Sequence, residues 1–180
     1  MGSDRNRRVQ RGASFELITE RVELPNGRQV ELDLLRHPGA AAVVPFLDAE
    51  TVMLIRQYRY ATGGQLLEVP AGKLDPGEAP EVCAIRELEE ETGYRAGRLE
   101  PLTAIWASPG FTDEVIHLFA AYELEPTAQD LQPDEIIDLV PMRFQEALDR
   151  VRRGELRDAK SALALLMAAD RQRIGTGAPD

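Results

Sequence analysis

The chain has 180 residues, of which 43% are hydrophobic and 29% are charged, a composition typical of one soluble globular domain. Its formal net charge of −10 argues against a general nucleic-acid binder, because such proteins need lysine and arginine to neutralise phosphates. No apolar run approaches the roughly 20 residues that a membrane helix requires, so no membrane association is expected. Cys83 is the only cysteine, which excludes an internal disulfide, fits a cytoplasmic location and favours a packing role for this residue.

Alternating apolar and polar residues predict strands along most of the chain. The first pair, residues 14–24 and 28–37, flanks a turn at Pro25, Asn26 and Gly27. A second, more apolar pair is predicted at residues 40–47 and 51–60, and it is expected to be more buried. Further strands are predicted at residues 102–108, 114–125 and 135–142.

Helical periodicity appears at about residues 80–92, 143–153 and 157–171. Strands and helices do not alternate regularly, so an α+β fold is favoured over a doubly wound one. The two ends, roughly residues 1–12 and 173–180, are expected to be disordered.

The helix predicted at residues 80–92 carries an unusual group of carboxylates. Glu87, Glu90 and Glu91 project from one face within an arc of roughly 100°, whereas Glu89 points elsewhere and Ile85 and Leu88 are expected to anchor the helix to a core. One interpretation is a solvated acidic face. However, the group lies in the C-terminal half of the helix, where the dipole disfavours anions, and a divalent cation such as Mg²⁺ would neutralise it.

These residues belong to a longer pattern that resembles the Nudix box. Gly72 is followed after five residues by Glu78, and after seven more by the run RELEEETGY. Every charged and glycine position of the box is matched, and the one departure is Tyr94, where an aliphatic residue is usual. The number of fixed positions argues against a chance match.

The resemblance implies a fold, a cofactor and a set of metal ligands. The implied fold is a mixed β-sheet sandwiched between helices, preceded by an N-terminal antiparallel β-hairpin or sheet. The implied cofactor is Mg²⁺, two or three ions, with Mn²⁺ possible in its place. The implied ligands are the Ala71 carbonyl and, as the main side chains, Glu87 and Glu91. Glu90 would be either a shared ligand or a residue that supports the ligands from behind. Arg86 would orient the glutamates, and Glu78 would support the loop before the helix, whose turns Gly72 and Gly77 supply.

Features outside the box resemble the ADP-ribose pyrophosphatase subgroup of the Nudix hydrolases. Pro109 lies fifteen residues after the box, and the stretches IRQYRYA, LLEVPAGKLDPGE and GELRDAKSALALL are also similar, so the resemblance covers most of residues 15–170. The implied reaction is Mg²⁺-dependent hydrolysis of the diphosphate of ADP-ribose, or of a related ADP-sugar, to AMP and a sugar phosphate such as ribose 5-phosphate. Alternatives are another nucleotide sugar as substrate, or a non-catalytic module that senses ADP-ribose.

The same resemblance implies substrate contacts. Arg59 is expected at the diphosphate and Arg36 at the adenosine end. Trp106 or Phe15 would either stack on adenine or belong to the core, and His37 and His117 are interpreted as structural. A loop formed by Ser108, Pro109, Gly110 and Glu114 would hold the terminal ribose across a dimer interface.

The resemblance also implies a catalytic base outside the box, because metal-bound carboxylates lose basicity. Glu135, in a polar segment that precedes an apolar strand, is favoured over Asp134, and it would also reach a metal ion. Glu90 and Arg86 are the other expected catalytic residues. The implied organisation is a homodimer, with residues 1–40 as an N-terminal β region that pairs or exchanges between subunits, residues 41–172 as the catalytic domain and residues 173–180 as a disordered tail.

Overall fold

The computed structural model describes residues 7–12 and 15–175. A 3₁₀ turn at Tyr60–Thr62 follows the fifth strand. The strands of the described residues are β1 (Arg7–Arg11), β2 (Glu16–Glu23), β3 (Gln29–Arg36), β4 (Ala40–Pro45), β5 (Thr51–Arg59), β6 (Gly64–Glu68), β7 (Ala71–Lys73), β8 (Tyr94–Trp106), β9 (Val115–Pro126) and β10 (Ile137–Arg143). The helices are α1 (Pro80–Thr92), α2 (Phe144–Arg152) and α3 (Ala159–Gly175).

The strands form three sheets. β1, β2 and β3 make an antiparallel N-terminal sheet, and β10, β5 and β6 make a second antiparallel sheet. The third sheet has the order β7-β4-β9-β8 and is mixed, because β4 and β9 run parallel. The predicted α+β class and the N-terminal antiparallel sheet are confirmed.

β4 lies at the centre of the core and is buried on both faces. Ala42 and Val44 belong to the larger apolar cluster, to which α2 and α3 contribute. Ala41 and Val43 point the other way, into a cluster with Cys83, Ala84 and Leu88 of α1. Because successive strand residues face opposite sides, one strand separates α1 from the α2–α3 pair, and the mixed sheet is sandwiched between helices as predicted.

The predicted pairing of residues 40–47 with 51–60 is wrong. Both segments are strands, but β4 pairs with β7 and β9, whereas β5 pairs with β10 and β6. The two segments share one isolated antiparallel bridge, between Phe46 and Val52. Both edges of β4 are already occupied, so β5 is directed into a different sheet.

The ends of the chain are more ordered than the composition indicates. β1 occupies residues that were expected to be disordered, and Arg8–Glu31 and Arg11–Glu16 ion pairs attach it to its sheet. At the other end, α3 runs to Gly175, so the first part of the expected tail is helical. Residues 1–6 and 176–180 lie outside the described residues. No helix among the described residues is long and apolar enough to cross a membrane.

Candidate active site

α1 has the boundaries that its sequence predicts. Pro80 lies in its first turn, and Gly93, with φ of 70°, donates its N–H to the Glu89 carbonyl at 2.9 Å. The left-handed conformation at this position favours glycine. Glu89 points away from the other carboxylates and pairs with Arg95 at 2.7 Å, as expected.

The anchor of α1 differs in part from the prediction. Leu88 is buried as expected, but Ile85 is only partly buried and is absent from both apolar clusters of the described residues. Cys83 and Ala84 take its place against the mixed sheet. Burial raises the pKa of Cys83 to about 12, so the thiol stays protonated and acts as a packing residue.

Packing of α1 against the sheet draws two of its carboxylates into the protein. Glu87 is 8% exposed and Glu91 only 1% exposed. Burial raises the pKa of Glu91 to about 8. The hydrogen bond from the Ala71 N–H opposes this shift, whereas the negative charges of Glu87 and Glu135 add to it. Burial also raises the pKa of Glu87, although the Arg86 guanidinium opposes this shift. These two side chains are costly to ionise where they are.

Arg86 organises the carboxylates through several hydrogen bonds. Its Nε and Nη2 donate to the two oxygens of Glu78 at 2.9 Å each, and its Nη1 donates to Glu87 at 2.7 Å and to Glu90 at 3.2 Å. Its Nη2 also donates to the Lys73 carbonyl at 3.1 Å. The orienting contacts predicted for Arg86 are present.

Glu78 links Arg86 to the loop that precedes α1. One carboxylate oxygen accepts the Asp75 N–H at 3.0 Å, which closes the turn that contains Gly77 at φ of 81°. The bidentate bond from Arg86 lowers the pKa of Glu78 to about 2. Glu78 supports this loop as the sequence predicts.

Residues 71 and 72 lie directly against the helix carboxylates. The Ala71 N–H donates to Oε2 of Glu91 at 2.9 Å. A β-carbon placed on Gly72 would overlap the Glu87 carboxylate. A side chain at position 72 would therefore force the Glu87 carboxylate away from the backbone of β7.

Glu135 approaches the same group of carboxylates from the segment before β10. Its negative charge contributes to the raised pKa of both Glu87 and Glu91, and its Oε2 accepts the Gln132 N–H at 2.8 Å. Asp134, the rival candidate, is exposed. The structure brings Glu135 to the site, and its role as a base stays a prediction.

The segment before Glu135 is attached to the C-terminal end of α1. The Thr127 N–H donates to the Gly93 carbonyl at 2.7 Å, and the Asp130 N–H donates to the Glu90 carbonyl at 3.0 Å. The Gln129 amide donates to the Glu91 carbonyl at 2.7 Å. These bonds satisfy carbonyls that a helix leaves without partners, and sequence reasoning did not anticipate them.

Arg59 is fixed by a buried partner that sequence reasoning missed. Its Nε and Nη2 each donate to Glu68 at 2.9 Å, and Glu68 also receives Lys160 from the start of α3. The hydrogen bonds to Glu68 are the main cause of the raised pKa of Arg59, and the charges of Glu91 and Asp158 make smaller contributions. Arg59 therefore lies near Glu91 of α1. Asp158 is a helix N-cap signal in the sequence that could have located the start of α3, although not its contact with Glu68.

The other expected substrate residues form a second group beside the N-terminal sheet. Arg36 pairs with Asp113 at 2.8 Å, and Glu114 lies 3.6 Å from His37. The Ser108 carbonyl accepts two N–H groups at 3.1 Å, which makes a turn with Pro109 and Gly110 exposed. Within the described residues, the hydrogen bonds and ion pairs of this group do not include the α1 carboxylates.

The N-terminal sheet is attached to this turn. The Leu35 N–H donates to the Phe111 carbonyl at 2.7 Å. His37 accepts the Gly39 N–H at Nδ1 over 3.1 Å, which fits the expected structural role. Trp106 and Phe15 are exposed, with exposed fractions of 61% and 47%. The interpretation of these two residues as part of the core is therefore wrong.

The donor set at α1 fits a hard divalent cation. Carboxylate oxygens are the ligands that Mg²⁺ takes in proteins. Here the pKa values of Glu87 and Glu91 are raised, because the nearby positive charge does not compensate for burial and for the neighbouring carboxylates. In the part of the chain that the structure describes, no group of three His, Cys, Asp or Glu side chains is already arranged to hold a metal ion. An ion would therefore draw the carboxylates from their present donors and complete its shell with water or substrate oxygens.

Residues 36–164 match the family model described as the NUDIX domain. This chain belongs to the Nudix family. Nudix hydrolases generally use divalent metal ions, in agreement with the donor set at α1. The match spans the second and third sheets, α1, α2 and the first part of α3.

Named relatives support the assignment of this Nudix chain as a hydrolase. The chain is 42% identical over 156 residues to an ADP-ribose pyrophosphatase of Bacillus subtilis, covering 86% of this chain and 84% of that protein. It is 39% identical over 166 residues to a GDP-mannose pyrophosphatase of Cronobacter sakazakii, covering 87% of this chain and 85% of that protein. A crystal structure described as an ADP compounds hydrolase has the same fold, with a TM-score of 0.80 at 23% identity over 98% of this chain and 99% of that one.

Proposed function

We propose that this protein hydrolyses the diphosphate bond of ADP-ribose, or of a related ADP-sugar, in a reaction that depends on Mg²⁺. The observation that carries the proposal is the group of buried carboxylates on α1, in which Glu91 has a pKa raised to about 8 beside Glu87 and Glu135. A site that resists ionisation in this way favours a bound divalent cation. The relatives named as ADP-ribose and GDP-mannose pyrophosphatases support a nucleotide sugar as substrate.

The residues that would hold Mg²⁺ are those around α1. They are the Ala71 carbonyl and the carboxylates of Glu87, Glu90, Glu91 and Glu135. Two or three ions are expected, and Mn²⁺ could replace Mg²⁺. A bound ion would neutralise non-bridging phosphate oxygens and lower the pKa of a water molecule.

Arg59 is the residue proposed to bind the diphosphate. Glu68 takes two of its five N–H groups, which leaves three for phosphate oxygens. The guanidinium side chain is 38% exposed, so it is accessible to a ligand. Its fixed fork suits an oxyanion better than a lysine would.

Glu135 is proposed to align or deprotonate the attacking water. The water oxygen forms a bond to one phosphorus, the bridging P–O bond breaks, and the leaving phosphate keeps the electron pair. For ADP-ribose the products are AMP and ribose 5-phosphate. Arg86 acts by holding Glu87 and Glu90 in place, and Glu90 would be a shared ligand or a support for the other ligands.

The second group of residues is proposed to bind the ends of the substrate. Ser108, Pro109, Gly110 and Glu114 would hold the terminal ribose, and Arg36 would lie at the adenosine end. The proposal includes a homodimer in which the N-terminal sheet carries this group to the partner subunit. Light scattering at micromolar concentration tests it, and a monomer would contradict the shared arrangement.

The experiment that tests the function is product analysis with a panel of nucleotide sugars. The panel contains ADP-ribose, ADP-glucose and GDP-mannose, each with Mg²⁺, with Mn²⁺ and with a chelator. We expect AMP from ADP-ribose with Mg²⁺ and no turnover with the chelator. If GDP-mannose were cleaved in preference, the substrate would be another nucleotide sugar. If ADP-ribose were bound but left unchanged, the protein would be a sensor and not an enzyme for this compound.

A further inference from the structure

The N-terminus of α3 carries an ionic cluster outside the Nudix box. Asp158 precedes the helix, and its Oδ2 accepts the Ser161 N–H at 3.0 Å and the Ser161 hydroxyl. This is a capped helix start of the usual kind. The same oxygen accepts Lys160 Nζ at 2.9 Å, so the cap also fixes the position of a cation.

Lys160 reaches from α3 to the end of β6. Its Nζ donates to Oε2 of Glu68 at 2.5 Å, and its side chain is 14% exposed. Glu68 is 1% exposed, and it also accepts two hydrogen bonds from Arg59, from Nε at Oε1 and from Nη2 at the same Oε2 that accepts Lys160. One buried carboxylate thus joins a cation of the scaffold to the arginine that is proposed to bind substrate.

The backbone beside Glu68 is fixed by the same helix. The hydroxyl oxygen of Ser161 accepts the Val69 N–H at 2.8 Å, and Ser161 and Val69 are both fully buried. The chain then continues through Pro70 to Ala71, which contacts Glu91. Both the side chain of Glu68 and the backbone after it are therefore attached to α3.

The charges of the cluster balance. Arg59 and Lys160 are matched by Glu68 and Asp158, so the cluster as a whole is neutral. Burial of Glu68 alone would raise its pKa, but Arg59 and Lys160 lower it, so the carboxylate is ionised. Without Lys160, Glu68 and Asp158 would share the single cation Arg59.

We infer that Lys160 is a positioning residue that holds Arg59 in the direction needed for the substrate diphosphate, through Glu68. A diphosphate competes with Glu68 for the guanidinium, because both are anionic. Lys160 and Asp158 keep Glu68 in place, so Arg59 keeps its two bonds to Glu68 while its remaining N–H groups face a ligand. The inference rests on the proposed function of Arg59.

The alternative is that Lys160 only attaches α3 to β6. The two cases differ in one respect: a positioning residue loses its effect once Arg59 has been removed, whereas an attachment between elements does not. A double-mutant cycle with Arg59→Ala and Lys160→Met, read as kcat/KM for ADP-ribose, separates them.

We expect Lys160→Met to lower kcat/KM by about 10- to 100-fold, mainly through KM, because a misplaced binding group costs on that order. In the Arg59→Ala background the same change should cost less than about 3-fold. Lys160→Arg, which keeps the charge, should restore most of the activity. Arg150→Met, which removes an α2 surface partner of Glu146 at 2.9 Å, is the matched control and should leave kcat/KM unchanged.

A second measurement does not depend on activity. The Arg59 Nε–H signal, followed by nitrogen-15 NMR, should exchange about 10-fold faster with solvent in Lys160→Met than in the wild type, because its acceptor is less well held. Circular dichroism and thermal unfolding verify the fold. If the methionine variant does not fold, Lys160→Gln replaces it, since the amide keeps the site polar but removes the positive charge that balances Glu68.

Equal losses from Lys160→Met with and without Arg59 would overturn the inference, as would an unchanged Arg59 Nε–H exchange rate. A wild-type protein that cleaves no nucleotide sugar would defeat the proposed function instead. In that case the NMR comparison alone decides whether Lys160 positions Arg59, so the two failures are distinguishable.

Discussion

The face of α1 and the N-terminus of α3 both bury ionisable side chains, but they differ in how the charges are balanced. At α3, Glu68 and Asp158 meet Arg59 and Lys160, and the pKa of Glu68 is lowered despite its burial. At α1, Glu91 has an uncharged N–H as its partner, and its pKa is raised to about 8. The balanced cluster keeps Glu68 ionised, whereas ionising the unbalanced one has an electrostatic cost that a cation would relieve.

The strongest test of this contrast removes the α1 charges. Glu87→Gln and Glu91→Gln should each lower kcat by about 10³-fold or more, because metal charge stabilisation is worth several kcal/mol and each ~1.4 kcal/mol is tenfold. Steady-state kinetics at saturating Mg²⁺ measures this. Glu89→Gln on the same helix, whose carboxylate pairs with Arg95, is the matched control. Near-normal turnover of either variant would defeat the metal assignment.

Glu135 extends the α1 group from another segment. Glu135→Gln should lower kcat by about 10²–10⁴-fold with little change in KM, the usual effect of losing general acid–base assistance. Asp134→Asn, one residue away and exposed, serves as the comparison. A loss under tenfold for Glu135→Gln, together with a large loss for Asp134→Asn, would move the role to residue 134.

Gly72 tests whether the position of Glu87 matters as well as its charge. Gly72→Ala places a methyl group where the Glu87 carboxylate lies, so that carboxylate must turn away. We expect a loss of about 10- to 100-fold in kcat/KM, in line with a small misplacement of a catalytic group. Gly64→Ala is the control, because a β-carbon there meets no atom within 4 Å. Equal activities of the two variants would show that the close approach at residue 72 is dispensable.

Ser161 tests the balanced cluster in terms of stability. Ser161→Ala removes the acceptor of the buried Val69 N–H and should lower the free energy of unfolding by about 1–3 kcal/mol. Denaturant unfolding measures it. Thr103→Ala, on a partly buried strand position with only a weak local bond, is a control that should change stability little. A neutral Ser161→Ala would mean that α3 is attached mainly by its apolar contacts.

When no metal is present, ionisation of the α1 cluster should lower the stability of the protein. Because the folded pKa of Glu91 is raised to about 8, its ionisation opposes folding between about pH 4.5 and pH 8. The free energy of unfolding in a chelator should therefore fall as pH rises through that range. Glu91→Gln should remove this contribution and stabilise the protein at pH 8 by on the order of 1 kcal/mol. Identical pH profiles for the two proteins would contradict the raised pKa.

The sequence predicts the local features of the site well. The run from Gly72 to Gly93 contains its own helix signals, since Pro80 suits a first turn and Gly93 a left-handed cap, and both have these roles. The spacing of Glu87 and Glu91 puts them on one face of any helix. Arg86 contacts the expected carboxylates for the same reason, since all lie within one or two turns.

Features that depend on distant segments were missed or mistaken. Ile85 has the right periodicity for the core, but the sheet receives Cys83 and Ala84 instead. β4 and β5 looked like a hairpin because an acidic turn separates them, yet their strand partners come from other parts of the chain. Lys160 and Glu68 lie 92 residues apart, and no local pattern indicates that they meet.

The sequence by itself determined α1, its boundaries, its carboxylate face and the family, because these depend on residues close together in the chain. Only the tertiary structure decided which carboxylates are buried and that Arg59 is held from α3 through Glu68. The physical reason is that burial and charge balance depend on which segments pack against each other. Sheet pairing determines that packing, and the order of strands in the sheets differs from their order in the chain.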